Sequence, residues 1–306
     1  LRRLAADPQL GPRREEWLSA APETPISREL VDLVHDPRYV DRLLGEEAEQ
    51  EVIKTYELID PQGHYHRYDP REGNRSLTEL VHYALITCAG SAAVCEEALG
   101  RGAAFFLGGG MHHAKRESGD GFCLVNDPVI AARATQAKGG AGLIWIIDLD
   151  VHKGDGTAAL THEDPTIRTL SIHMAEGWPL DRPARLPDGT MHPSHIPSDV
   201  DIPVGLREED AYVPLLADGL DQLEATGLPD LALVLYGADP YERDELPSSG
   251  GIKLTLSQMM ERDRLVYRFL KERRIPIAYV KAGGYGRYAW EPLTQFLSWF
   301  LRAEDM

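Results

Sequence analysis

Five short apolar runs constrain the fold of this chain more than any other feature of its sequence. They are rich in Ile, Val, Leu and Tyr and do not alternate with polar residues, which is typical of strands covered on both faces. The runs are Ala103–Leu107, Leu143–Leu149, Ile167–Ile172, Leu231–Tyr236 and Ile275–Lys281. Amphipathic stretches typical of helices lie between or beside them, at Leu77–Leu99, Asn126–Gln136, Glu208–Ala225 and Leu256–Arg273. Strands alternating with helices predict an α/β fold with a mostly parallel, doubly wound sheet and helices on both faces.

The organisation of the chain is predicted to be simple. We find no internal repeat, low-complexity tract or obvious linker, so one domain is predicted over residues 1–306. Two polar stretches fit no regular element and are predicted to be loops, Asp60–Asn74 and Pro179–Pro203. Loops of this length inside a compact domain are often functional, and both could help to wall a pocket.

Composition excludes several classes of function. A formal net charge of −17 argues against a nucleic-acid-binding surface, which needs clustered Lys and Arg, and favours cationic partners or simply solubility. No apolar run reaches about eighteen residues, so we expect no membrane span. The three cysteines, Cys88, Cys95 and Cys123, are too few for a disulfide framework, and we therefore expect a reducing cytoplasm.

Unusual polar residues follow four of the five predicted strands. These segments are Gly108–His113, Asp148–Gly156, Gly237–Asp239 and Gly283–Tyr285. In open α/β sheets, ligands bind outside the carboxyl ends of the strands. The active site is therefore predicted at this edge of the sheet.

Three residues spaced by two suggest a metal site. In an extended backbone Asp148, Asp150 and His152 point to the same side, and adjacent buried carboxylates need a compensating cation. Carboxylate and imidazole suit zinc, and Asp239 could supply a third ligand from a neighbouring strand end. Three protein ligands leave a position for water, as in catalytic zinc sites. The alternative is that Asp148 and Asp150 merely cap a turn.

Two further features are ambiguous on their own. His112 and His113 could be metal ligands, a general base with its helper, or a hydrogen-bonded core pair. Asp148 and Asp155 are available to orient the two imidazoles, which favours acid–base work. Tyr285 could donate a hydrogen bond to a carbonyl oxygen as charge develops there, or it could be a packing residue.

At these residues the sequence resembles the zinc-dependent histone deacetylase family, including its bacterial deacetylase-like members. The blocks that carry the resemblance occur in the family's order, at Gly109–Ala114, Gly121–Asp127, Ile147–Gly156, Gly237–Asp239 and Gly283–Tyr285. His35–Val40 resembles an early helix-start motif of the same family, so the match runs from about His35 to the C-terminus.

The resemblance implies a role for each matching residue. The implied zinc ligands are Asp150, His152 and Asp239; the acid–base pair is His112 and His113, held by Asp148 and Asp155; and Tyr285 polarises the acyl carbonyl. The implied walls of an acyl-lysine channel are Gly121 with Phe122 and, opposite, Trp178, and Asp69 is matched to the substrate-clamping loop aspartate. A potassium site is implied beside the zinc, formed by Asp148, the backbone at Asp150 and His152, Ser171 and Ile172.

The sequence also departs from the family pattern. Lys153 stands where most members have a second His or a similar residue, and Ala282 replaces a Gly before Gly283. The segment Pro240–Pro247 is longer than usual, and with Arg262–Arg268 it is most similar to the class IV branch and its bacterial relatives. A first strand of the family's sheet is expected before Leu1, outside this sequence.

The predicted function is zinc-dependent hydrolysis of an N-acyl amine, most of all the lysine side chain of proteins. Acetylated polyamines and small-molecule amides are alternative substrates, and the oligomeric state is left open. A non-catalytic acyl-lysine binding protein is the rival of another class, but it would be expected to have lost a ligand or the tyrosine. Arginase-like ureohydrolases share a related sheet, yet they need more aspartate ligands for two metals than this chain offers.

Overall fold

The computed structural model describes residues 1–303, which form one parallel sheet covered by helices on both faces. Its strands are β1 (Ala103–Phe106), β2 (Ile144–Asp148), β3 (Ile167–Met174), β4 (Val200–Val204), β5 (Leu231–Tyr236) and β6 (Ile277–Lys281). Their order across the sheet is β1-β6-β5-β2-β3-β4, and every neighbouring pair is parallel.

The helices account for most of the remaining chain. Before the sheet come α1 (Arg2–Ala5), α2 (Arg14–Trp17), α3 (Arg28–Asp32), α4 (Pro37–Leu44), α5 (Ala48–Thr55) and α6 (Glu79–Arg101). Among and after the strands come α7 (Asp127–Ala137), α8 (Asp155–Thr161), α9 (Glu209–Glu224), α10 (Leu256–Glu272) and α11 (Trp290–Ala303). Short 3-10 turns occupy Gly11–Arg13, Pro70–Glu72, Pro193–His195 and Pro247–Ser249.

The sheet separates two apolar cores because successive side chains of a strand point to opposite faces. Trp145 and Ile147 of β2 lie in the core beneath α9, α10 and α11, whereas Ile144 and Ile146 lie in the core beneath α6 and α7. All four side chains are fully buried, which explains why β2 has an unbroken apolar sequence.

The helices that flank the site begin at residues suited to helix starts. The Asn126 side chain accepts the Val129 N–H at the start of α7, where Pro128 occupies the first turn. Thr255 and Gln258 form a reciprocal capping box at the start of α10. Such caps satisfy backbone donors that would otherwise lack partners at a helix start.

The predicted fold class is confirmed, and so are the five strands and four helices, with ends shifted by up to two residues. The prediction that Pro179–Pro203 is wholly a loop is wrong, because its end enters the edge strand β4, Val200–Val204. Here Asp201 and Pro203 interrupt the apolar residues, so the strand does not resemble a buried one. Asp60–Asn74 contains no helix or strand except the 3-10 turn Pro70–Glu72. Over residues 1–303, no helix combines the length and apolarity needed to cross a membrane.

Candidate active site

Four neighbouring strands bring the predicted site residues to one edge of the sheet. β1, β6, β5 and β2 lie side by side in that order, and all four run in the same direction. His112 and His113 follow β1, Tyr285 follows β6, and Asp239 follows β5. Asp148 is the last residue of β2, and Asp150 and His152 come directly after that strand. The clustering predicted from the sequence is therefore present in the fold.

Asp150, His152 and Asp239 form a cluster able to hold a metal ion. One ligand-type atom from each residue lies within 4.8 Å of the others, and all three residues are buried. Nδ1 of His152 lies 3.0 Å from Asp150 Oδ1 and 3.3 Å from Asp239 Oδ2. Nε2 of the same ring pairs with the Ser248 hydroxyl at 3.1 Å, which leaves Nδ1 facing the carboxylates. Two carboxylates and one imidazole are the types of ligand that catalytic zinc uses.

The electrostatics of this cluster also fit a cation. Asp239 Oδ2 is buried and accepts no hydrogen bond from the described residues, although buried carboxylate oxygens normally have partners. Burial and the neighbouring Asp150 charge raise the pKa of Asp239 to about 7. Burial opposes protonation of His152, but its contacts with Asp150 and Asp239 raise its pKa to about 10. A divalent ion would compensate both carboxylates and leave the imidazole neutral.

Gly283 allows the cluster to be compact. A Cβ atom at this position would lie 2.3 Å from Asp239 Oδ2 and 2.4 Å from Asp150 Oδ2. The Gly283 backbone N–H instead donates to Asp150 Oδ2 at 2.8 Å. The glycine therefore brings a backbone donor, with no side chain, against the two candidate ligands.

The two adjacent histidines are each held by a buried carboxylate. His112 Nδ1 lies 2.6 Å from Asp148 Oδ2, and His113 Nδ1 lies 2.7 Å from Asp155 Oδ1. Each pairing leaves the Nε2 atom of the ring available for proton transfer. The loop before the histidines is fixed by buried Asp127, whose carboxylate accepts the N–H groups of two loop residues, Gly110 and Met111.

The two imidazoles differ electrostatically. Burial and the nearby His112 lower the pKa of His113 to about 4. Burial also disfavours the charged form of His112, but Asp148 and Asp150 outweigh it and raise its pKa to about 9. Environments that push two pKa values apart are typical of acid–base pairs.

Residues that the sequence interpretation missed complete the surroundings of Asp155. Its Oδ2 atom accepts the Ser194 hydroxyl at 2.6 Å and lies 2.8 Å from the Lys115 ammonium. Lys115 follows the His112–Ala114 block directly, and this proximity was the available signal. Ser194 carried no such signal, because it belongs to a segment interpreted as a loop.

Tyr285 is partly buried beside the cluster. Burial and the negative charges of Asp150 and Asp239 raise the pKa of its phenol well above the usual range, so the hydroxyl keeps its proton. Its backbone N–H donates to Asp244 Oδ2 at 2.6 Å. Asp244 belongs to the segment after Asp239 that is longer than usual, and this contact gives that segment a structural role.

The predicted wall residues lie around His113, with one exception. The Trp178 ring centroid is 4.4 Å from that of His113 and 5.6 Å from that of His152. Gly121 has φ +50, and a Cβ there would lie 2.3 Å from the Trp178 ring. Phe122, which has φ +66, is the exception. Its ring centroid lies 6.0 Å from that of Tyr56 and 5.1 Å from the Arg67 guanidinium carbon.

The remaining predicted residues have local partners. The Asp69 carboxylate forms a two-pronged pair with Arg71, and none of its described hydrogen bonds or ion pairs reaches the histidines. Ser171 is the cross-strand neighbour of Asp148, and its hydroxyl lies 3.1 Å from His173 Nδ1. Ile172 is fully buried in the core. The potassium site that these residues would form stays a prediction.

Lys153, one of the departures from the family pattern, forms a buried ion pair. Its ammonium lies 2.6 Å from Asp201 Oδ2 on β4, and only 4% of its side chain is exposed. The pair joins the segment after β2 to the edge of the sheet. Ala282 lies close to Gly110 in the loop before the histidines. A Cβ added at Gly110 would lie 2.5 Å from the Ala282 Cα atom.

Comparison with known proteins agrees with this geometry. The family model described as "Histone deacetylase domain" matches residues 2–297. The chain belongs to the histone deacetylase family. An uncharacterized protein of Picosynechococcus sp. is 35% identical over 266 residues, which cover 87% of this chain and 78% of that protein. Histone deacetylase 2 of Arabidopsis thaliana is 30% identical over 185 residues, which cover 60% of this chain but 45% of the plant protein.

The fold is shared with solved structures. The acetylpolyamine aminohydrolase of Burkholderia pseudomallei superimposes with a TM-score of 0.69 and 19% identity, over 97% of this chain and 89% of that one. The match to the plant deacetylase spans less than half of that relative's length. Family membership makes the chain a deacetylase-type hydrolase, and its substrate and whole activity are considered next as proposals.

Proposed function

We propose that this protein is a zinc-dependent hydrolase that removes acetyl or other acyl groups from amines, chiefly the lysine side chains of proteins. The observation that carries the proposal is the buried Asp239 Oδ2, which accepts no hydrogen bond from the described residues and lies 3.3 Å from His152 Nδ1. A cation is the simplest partner for that oxygen. The acid–base histidines, each with its own carboxylate, are the second support.

Asp150, His152 and Asp239 would hold the zinc. When bound, zinc supplies polarisation of the acyl carbonyl and lowers the pKa of a water molecule towards ~7. His113 is neutral near pH 7, so its Nε2 accepts the proton of the attacking water. The histidine pair then returns a proton to the nitrogen of the leaving amine. The Tyr285 phenol, which keeps its proton, donates to the carbonyl oxygen as negative charge develops.

Charge and the residues around His113 support a cationic substrate. A net charge of −17 favours cationic partners, and both lysine-rich protein segments and polyamines are cationic. Gly121 with Phe122 would form one wall of the acyl-lysine channel, and Trp178 would form the opposite wall. Asp148, the backbone at Asp150 and His152, Ser171 and Ile172 would hold a potassium ion beside the zinc. The cytoplasm remains the expected location.

The test is turnover of acyl-lysine peptides and acetylated polyamines by zinc-loaded protein. We expect hydrolysis of acetyl-lysine peptides with release of acetate, at rates above those for acetylated polyamines. Faster turnover of the polyamines would reassign the substrate within the same chemistry. Full zinc occupancy with no turnover of either class would contradict the hydrolase, and tight acyl-lysine binding in that protein would favour the binding-protein alternative.

A further inference from the structure

An ion-pair network outside the metal-ligand cluster connects the acid–base histidine to the wall of the site. It starts at Asp155, which holds His113 through Oδ1. The Lys115 ammonium lies 2.8 Å from Asp155 Oδ2 and 2.7 Å from Asp120 Oδ2. Only 11% of the Lys115 side chain is exposed, so solvent screens these two contacts weakly. Lys115 therefore joins Asp155, the carboxylate that holds His113, to Asp120.

Asp120 connects this lysine to a second cation and to the channel wall. Its Oδ1 atom accepts from Arg182 Nη2 at 2.9 Å and from the Gly121 backbone N–H at 3.0 Å. Arg182 Nη1 contacts the other oxygen, which makes the pair two-pronged. Burial alone would raise the pKa of Asp120, but Arg182 and Lys115 hold it below its usual value.

Trp178 closes this network into a ring. The Arg182 guanidinium lies 5.5 Å from the Trp178 ring centroid, within the range of a cation–π contact. Trp178 also contacts His113, and the centroids of these two rings are 4.4 Å apart. Trp178 and Arg182 belong to the same loop after β3, and His195 Nε2 lies 2.9 Å from the Arg182 carbonyl oxygen. The ion pair with Asp120 thus ties this loop to the segment that contains Gly121.

There is little spare room between the wall and the histidine. A Cβ atom at Gly121 would lie 2.3 Å from the Trp178 ring and 2.7 Å from His113 Cδ2. A small displacement of Trp178 would therefore change the space available beside His113. Since one methylene in an apolar pocket already discriminates substrates measurably, such a displacement would alter selectivity.

We propose that Lys115, Asp120 and Arg182 are positioning residues that hold Trp178 against His113 and thereby restrict the substrate to short acyl groups. This inference rests on the proposed deacylase function. None of the three residues acts on the reacting atoms. They determine how close the wall lies to the histidine that does.

The test compares Arg182→Gln and Asp120→Asn with the control Arg185→Gln. Arg185 lies in the same loop, is exposed, and bonds through Nη1 to the Gly189 carbonyl. We expect the first two variants to raise the ratio of kcat/KM for butyryl-lysine over acetyl-lysine about tenfold, while the control keeps the wild-type ratio. Arg182→Lys keeps the charge but loses the planar fork, so its ratio should be intermediate. A wild-type ratio in both Arg182→Gln and Asp120→Asn would overturn the proposal.

Hydrogen–deuterium exchange of residues 175–186 separates this proposal from the proposed function. We expect faster exchange in Arg182→Gln than in wild type or Arg185→Gln, because the loop loses its tie to Asp120. If wild type hydrolyses no acyl-lysine, the proposed function fails. The exchange rates then still test whether Arg182 holds the loop through Asp120. Unchanged exchange in Arg182→Gln would then overturn the positioning role.

Discussion

The imidazole rings of His112 and His113 lie with their centroids 3.9 Å apart, yet each ring bonds to a different buried carboxylate. Two protonated imidazoles at this separation would repel each other, which favours one charged and one neutral ring. The carboxylate of His113 is shared with Lys115, whereas Asp148 has no lysine among its described ion pairs. The two histidines are thus neighbours in sequence with different surroundings.

Replacement of His113 by Ala should remove most of the turnover and leave the metal in place. The ring bonds to Asp155 and lies outside the ligand cluster, so its loss should affect proton transfer. We expect a decrease of about 10²- to 10⁴-fold in kcat for an acetyl-lysine peptide. Zinc is measured on the same samples by elemental analysis, and loss of zinc from this variant would place His113 among the ligands.

Replacement of Asp239 by Ala should abolish tight zinc binding. Wild type is expected to retain one zinc per chain after dialysis, because three buried candidate ligands would surround the ion. The control is Asp221→Ala, which removes an exposed carboxylate on α9. Full occupancy in Asp239→Ala would contradict the ligand assignment, and loss in both variants would indicate an effect of charge alone.

Gly283→Ala should also lower zinc affinity, although no ligand is removed. The added methyl carbon would lie 2.3 Å and 2.4 Å from the two candidate carboxylates and must displace them. Gly100→Ala is the matched control, because a Cβ at that position in α6 meets no atom within 4 Å. Zinc titration of the apoproteins with a competing chelator measures the difference, and equal affinities would mean that the cluster tolerates the displacement.

Replacement of Tyr285 by Phe should lower kcat by about 10²- to 10³-fold, equivalent to ~3 kcal/mol of transition-state stabilisation. KM should change much less, because this hydrogen bond strengthens as charge develops on the oxygen. Tyr288→Phe serves as the comparison, since the Tyr288 ring packs against the Arg243 guanidinium at 3.4 Å. Equal rates for wild type and Tyr285→Phe at equal zinc loading would remove the phenol from the mechanism.

His35 should make the protein less stable in mild acid. Its Nδ1 pairs with the Lys115 carbonyl at 2.8 Å, its Nε2 accepts the Asn126 N–H at 2.9 Å, and burial lowers its pKa to about 4. The unfolded chain, with an ordinary histidine pKa near ~6.5, binds this proton first, so stability falls as the pH decreases from about 6.5 towards 4. This group alone should cost about 2 kcal/mol between pH 8 and pH 5.

Urea unfolding at both pH values measures that loss. His35→Gln should show a smaller pH dependence of the unfolding free energy than wild type. His64→Gln, which removes an imidazole that is 79% exposed, should retain the wild-type dependence. An equal dependence in wild type and His35→Gln would show that His35 does not carry the effect.

The sequence was sufficient for the strands at the centre of the sheet and for the residues at their ends. β5 is predicted residue for residue, because a strand buried on both faces has a continuous apolar sequence. β4 could not be recognised in the same way, since it lies at an edge and includes Asp201 and Pro203. Family resemblance extended the prediction to roles that spacing alone left open.

The contacts around the site were harder to predict than the site itself. Arg182 and Asp120 are 62 residues apart in the chain and meet only because two loops approach each other. Nothing in the local sequence of either loop indicates that pairing. The match of Asp69 to a substrate clamp also stays a prediction, and the strongest partner of its carboxylate is the nearby Arg71.

Pro203 bears on strand pairing at the open edge of the sheet, at β4. The Val204 carbonyl faces β3, where it accepts the Ala175 N–H, so the backbone of the preceding residue faces the open margin of the sheet. At that margin a proline offers no N–H group to an incoming strand. The ladder is thereby interrupted where another chain could extend it, and native proteins use such interruptions to prevent edge-to-edge aggregation. Pro203, one of the two residues that make β4 difficult to recognise in the sequence, thus removes a hydrogen-bond donor from the open edge of the sheet.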